Sequence, residues 1–248
     1  FAKLAAMPDS PPVPPRLTRE MLLGGALADM IARANPNVRM LTDAERRASL
    51  HAALAERAEH GDGVWLFAYG SLIWNPTIRI TAQRPALVRG WHRAFCLATR
   101  AGRGTPENPG LLLGLRPGGS CCGAVLRVPE DGLEHELDLL WRREMVTGSY
   151  TPRWLTVEDM AGAPHGRALA FTIEDTSHGY AGDLTEDEVV ERLATAGGEL
   201  GTCAEYLFRT CEGLHRMGIR DPALERIATL VAARQAARRA DPQAAPAT

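Results

Sequence analysis

Between Val64 and Ile173 the chain strings together short apolar and aromatic runs divided by turn residues, and a single clear helix interrupts them. Val64-Trp65-Leu66-Phe67-Ala68-Tyr69 reads as a buried strand that Gly70-Ser71 stops. Ala86–Thr99 reads as a second strand, bent at Gly90. Leu111–Leu115 and Cys122–Val128 flank Pro117-Gly118-Gly119-Ser120, which predicts a hairpin. Arg153–Val157 and Arg167–Ile173 read as two more strands, and Leu133–Glu144 as the inserted helix. Strands gathered in the middle, with helices before and after, define an α+β architecture rather than an alternating one.

The flanks are helical. Arg16–Ala34 has helical character weakened at Gly24-Gly25. Thr42 followed by Glu45 forms a capping box that opens a helix to about His60, where Gly61-Asp62-Gly63 ends it. Residues 16–62 are therefore expected as an N-terminal helical extension of a main domain at 63–240. Residues 1–15, with Asp9–Pro15 reading DSPPVPP, are expected as an extended tail, and 241–248 as a solvated one. Thr185 with Glu188 caps another helix to about Ala196, and Gly201–Met217 and Pro222–Arg239 supply the last two.

Several function classes fall away on composition. The formal net charge is -2 and no long basic run exists, so neither nucleic acid nor an anionic membrane is the expected partner. No stretch approaches the roughly 20 apolar residues that span a bilayer, and Phe1–Pro15 lacks a charged head before an apolar run. Lys3 is the only lysine, which removes both the phosphate-binding GxxxxGK[ST] loop and a Schiff-base lysine. The five cysteines are scattered, odd in number and without a CxxC, as in a reduced, cytoplasmic protein. The histidines form no HxH, HExxH or HxxxH pair, and no metal site or cofactor is expected.

Two features carry chemistry. A strand ending in Gly70-Ser71 can turn sharply and aim consecutive N–H groups at one anion; an ordinary turn is the alternative. Tyr69-Gly70-Ser71-Leu72-Ile73 is not GxSxG, so Ser71 is not expected as a nucleophile. The second feature is Glu144. Leu133, Leu137 and Leu140 mark one helical stripe, and Glu144 follows four residues after Leu140. That spacing turns a carboxylate toward the core, where burial and the helix C-terminus both raise its pKa toward general acid–base use. The alternative is a structural ion pair with Arg142, Arg143 or a more distant arginine. His92 and Cys96 share a strand parity, yet a buried thiol beside an unrelated histidine accounts for them more simply than a nucleophile pair. Tyr206 and Phe208 read as core, and Tyr180 lies in the Asp175–Asp183 loop that is placed to cover a pocket.

Taken in order, Tyr69-Gly70-Ser71-Leu72-Ile73-Trp74, Gly90 with Arg93 and Phe95, Arg103-Gly104-Thr105-Pro106, Pro109-Gly110-Leu111, Gly118-Gly119 with Cys121, Arg143-Glu144, Gly148 with Tyr150, Tyr180 with Gly182, and Glu205-Tyr206-Leu207-Phe208 resemble the ChaC family of γ-glutamylcyclotransferases. The resemblance spans Val64 to Met217. It implies a small mixed β-barrel with flanking helices and cleavage of glutathione into 5-oxoproline and cysteinylglycine. It implies that the loop Tyr69, Gly70, Ser71, Leu72, continuing into Ile73 and Trp74, binds the γ-glutamyl group through its N–H groups, and that Glu144 accepts the proton. Tyr150 and Tyr180 are expected to offer pocket hydroxyls. Three rivals remain: a cyclotransferase for other γ-glutamyl amines or dipeptides, a non-catalytic γ-glutamyl-binding regulator linked to cation transport, and a Cys/His hydrolase.

Overall fold

The computed structural model describes residues 16–59 and 64–240. The expected tails at 1–15 and 241–248 and the helix stop at Gly61-Asp62-Gly63 lie outside them. Five strands close a mixed barrel in the order β1-β3-β2-β4-β5: β1 (Val64–Ala68), β2 (Ala82–Thr99), β3 (Gly110–Val128), β4 (Thr151–Glu158) and β5 (Pro164–Thr172). Neighbours are antiparallel except at the closure, where β5 runs parallel to β1 through Leu66 and Leu169 and to β3 through Leu115 and Thr172. In β1, Val64, Leu66, Phe67 and Ala68 are all buried, which is why it reads as continuous apolar sequence rather than alternating.

The hairpin expected at Pro117–Ser120 does not form. β3 runs straight through it, paired with β2 from Ala82 opposite Arg127 to Thr99 opposite Gly110. The true reversal is the stretch 100–109. Between the Arg89–Ser120 and Trp91–Pro117 pairs, β3 spends one more residue than β2. Gly118 and Gly119 take φ of 100° and 69°, so they absorb that residue as a bulge instead of turning the chain. Gly90, opposite them, has φ of 78° and supplies the expected bend in β2.

The helices follow the sequence closely. Gly24-Gly25 splits the first helical stretch into α1 (Arg19–Leu23) and α2 (Ala26–Ala34). α3 (Asp43–Ala55) opens on a complete Thr42/Glu45 capping box and ends in a short 3₁₀ turn, Glu56–Glu59. α4 is Leu133–Glu144. α5 (Glu186–Thr195) has the Thr185/Glu188 box, and α6 (Cys203–Arg216) and α7 (Pro222–Ala240) close the chain. A two-residue ladder between Gly197–Gly198 and Gly201–Thr202 precedes α6, which sequence reading did not anticipate.

The helices ahead of β1 share the barrel's core. Leu22, Leu50 and Ala53 belong to the same buried cluster as Leu66, Leu140 and Trp154. The indole N–H of Trp154 donates to the Ala53 carbonyl at 2.9 Å, and that of Trp141 to Ser49 Oγ at 3.1 Å. Glu136, fully buried on α4, accepts both from Arg19 of α1 and from the backbone and guanidinium of Arg79. Burial pushes its pKa up, but these donors together outweigh that and hold it down to about 2.

Candidate active site

α4 ends on Glu144, where strands, loops and other helices of the fold converge. A cavity of about 590 Å³ opens there, within the roughly 300–1,000 Å³ common for small-molecule sites. Glu144 is the only carboxylate among the described residues that line it. Its side chain is 14 % exposed. Burial raises its pKa, opposed by the adjacent Arg143 guanidinium. The expectation of a core-facing carboxylate and the alternative of an ion pair therefore both hold: Arg143 Nε lies 2.8 Å from Glu144 Oε1.

Arg143 does more than neutralise. Its other nitrogens donate to Ser71 Oγ at 2.8 Å, to Thr77 Oγ1 at 3.2 Å and to the Asn75 carbonyl. One guanidinium thus clamps the loop after β1 to the end of α4. Thr77 is held at φ of 60°, a left-handed conformation costly for a β-branched residue. Ser71 Oγ is engaged by a cation and not by a base, which does not favour a nucleophilic serine.

After β1, Ser71–Ile73 makes a single 3₁₀ turn. Its first N–H groups precede any carbonyl of the turn that could accept them. Ser71 and Trp74 line the cavity, as do Tyr150 and Tyr180. Tyr69, Gly70, Leu72 and Ile73 are not among the lining residues. Tyr69 is buried and donates to the Phe171 carbonyl at 2.6 Å, and Leu72 and Ile73 are buried. Tyr150 donates to the Leu113 carbonyl at 2.9 Å. Tyr180 pairs with Leu97 as an isolated bridge and packs under Arg116, and its hydroxyl is buried without a hydrogen-bond partner.

Two of the lining residues that sequence reading did not assign to the site bear on its chemistry. Tyr206, expected as core, also lines the cavity, and its hydroxyl accepts from Leu113 N at 3.4 Å. A Cβ on Gly70 would stand 2.8 Å from that hydroxyl, so the glycine lets the loop approach it. Helical periodicity puts Tyr206 on the inner face of α6, but does not tell a packed core from a cavity wall. Phe208, also expected as core, is instead exposed. The second is Arg103, which donates to the Thr202 carbonyl and lies over both Trp74 and Tyr206, 5.6 Å from each ring.

The Cys/His reading finds no support. His92 Nδ1 is 3.0 Å from the Gly118 carbonyl oxygen, and fully buried Cys96 sits at the β2 irregularity between Phe95 and Leu97. Burial pushes the Cys96 thiol up to about 11, away from a reactive thiolate. Among the described residues no cluster of three or more His, Cys, Asp and Glu could hold a metal ion, and no helix is long and apolar enough to cross a membrane.

The barrel and its flanking helices define a γ-glutamyl cyclotransferase-like fold. A crystal structure of a γ-glutamyl cyclotransferase specific to glutathione from yeast superposes with a TM-score of 0.64 at 22% identity, over 70% of this chain and 97% of that one. The family described as ChaC-like protein matches residues 64–234, and the chain belongs to that family. The glutathione-specific gamma-glutamylcyclotransferase of Escherichia coli is 43% identical over 186 residues, covering 75% of this chain and 80% of the relative. Glutathione-specific gamma-glutamylcyclotransferase 1 of Rattus norvegicus is 30% identical, covering 70% and 81%.

Proposed function

We propose that this chain is a cytoplasmic glutathione-specific γ-glutamylcyclotransferase in which Glu144 moves the protons. The observation that carries the reading is the one cavity carboxylate among the described residues, its pKa raised by burial and its position tied by Arg143 to the Ser71 loop. The names of the bacterial and rat relatives support the substrate. The free state of all five cysteines suits a reducing compartment.

In this mechanism the loop after β1 receives the γ-glutamyl α-carboxylate through the N–H groups that open its turn, those of Ser71 and Leu72, since the Ile73 and Trp74 N–H groups are spent on Gly70 and Ser71. The α-ammonium gives one proton to Glu144 and becomes a nucleophile. Its nitrogen attacks the γ-carbonyl carbon, a five-membered ring closes, and a second proton leaves that nitrogen. The γ-amide C–N bond breaks, and the departing nitrogen takes up both protons as the ammonium of cysteinylglycine. Atoms and charge balance without water. Nucleophile and electrophile share one molecule, so holding the reactive conformer supplies much of the rate. The Tyr206 hydroxyl, which lines the cavity, donates to the developing oxyanion in this reading, while Tyr150 and Tyr180 bound the site.

Incubating the protein with glutathione should release 5-oxoproline and cysteinylglycine in equal amounts. γ-Glutamyl amino acids that lack the glycine should react poorly. Release from those at equal or greater rate would move the assignment to the broader cyclotransferases. Tight glutathione binding without any product would move it to a binding protein.

A further inference from the structure

The cavity has a wall that the family region does not provide. Leu27, Ile31 and Ala34 of α2 line it, although the ChaC-like match begins only at residue 64. They are spaced as one helical stripe, yet each is only partly buried, and Met30 is the buried residue of α2. Leu27 packs against the core as well as lining the cavity, while Ile31 and Ala34 extend the apolar stripe along the cavity wall.

This wall is fastened on both sides of the active site. The Asn75 amide donates to the Leu17 carbonyl at 3.0 Å, and Asn75 is itself gripped by Arg143. Leu41 N donates at 2.8 Å to the carbonyl of Val146, two residues past Glu144. The segment is tied to the two loops that carry the proposed chemistry.

Three arginines line the cavity. Arg143 is engaged by Glu144 and Ser71, and Arg103 by Thr202 and Glu205. Arg100 is exposed and has no ion-pair partner among the described residues. The lining thus combines a carboxylate and hydroxyls with an aliphatic wall, and among the described residues Arg100 is a cation without an ion-pair partner.

We infer that α2 and Arg100 form the subsite for the leaving half of the substrate: the cysteine side chain lies on Leu27 and Ile31, and the glycine carboxylate pairs with Arg100. The inference rests on the glutathione reading above. A sulfanylmethyl group suits an aliphatic surface, and glutathione carries a terminal carboxylate beyond the scissile amide that needs a cation.

The test compares native protein and Arg100→Ala on glutathione and on glutathione esterified at the glycine carboxylate. In the native protein esterification should lower kcat/KM about tenfold, the order expected for a charge-assisted hydrogen bond. In Arg100→Ala glutathione should fall by the same factor, through KM, and esterification should cost nothing more. An Ile31→Trp variant, which fills the wall, should raise the KM for glutathione several-fold with kcat nearly unchanged. Undiminished use of glutathione by Arg100→Ala, or an equal esterification penalty in both proteins, overturns the carboxylate assignment. A native KM in Ile31→Trp overturns the wall. If the native protein releases no 5-oxoproline, the activity itself falls, and the subsite with it.

Discussion

Glu136 and Glu144 lie on the same helix and meet opposite fates. Glu136 has Arg19 and Arg79 as direct donors and stays ionised down to about pH 2. Glu144 has only Arg143 against its burial, and its pKa rises. Environments that push two carboxylates apart sort structural from catalytic groups. Removing the attraction should widen the gap. In Arg143→Gln the Glu144 pKa should climb further. Glu144 must be ionised to accept a proton, so the acid limb of kcat/KM against pH should move to higher pH; a limb that stays put or moves lower would show that Arg143 does not tune the base. If Tyr206 is the oxyanion donor proposed above, Tyr206→Phe should cut kcat by about a hundredfold with the fold intact. Unchanged turnover would return Tyr206 to the packing role read from its periodicity.

At the scale of elements, local chemistry was legible wherever the chain itself decides. α4 has the bounds its leucine stripe gives it, and both capping boxes form. The misplaced hairpin shows where local reading stops. Pro-Gly-Gly-Ser has turn composition, but β2 offers β3 a pairing partner along nearly all its length, and that ladder outweighs one local reversal. The α1–α4 junction was equally hidden, because nothing local links Arg19 to Glu136. Glu136→Gln should lower stability by about 3 kcal/mol in urea unfolding, since it leaves two arginines facing a buried site; a change within experimental error would mean the pair is dispensable. Its folded pKa is depressed, so its contribution is complete above the ordinary value of 4.5 and should fade as pH falls from there to about 2.

For the whole molecule, closure of the barrel is what assembles the site. Ser71, Glu144, Tyr180 and Tyr206 come from four distant stretches of chain. Periodicity orients each residue about its own element but does not report which elements meet, and the ordered family resemblance supplied that link for Ser71 and Glu144. It carried nothing for residues ahead of Val64, where α1–α3 enter the common core through Leu22 and Leu50. Leu22→Ala and Leu50→Ala should each lower the single unfolding transition by about 2–5 kcal/mol. A separate early transition that leaves the barrel intact would make the N-terminal helices an independent layer. The proposed chemistry rests on Glu144, and 5-oxoproline release from glutathione by Glu144→Gln tests its role most directly. With the fold confirmed by circular dichroism, loss of turnover by about a thousandfold across the pH range is the predicted result; a folded Glu144→Gln protein with near-native turnover would contradict it.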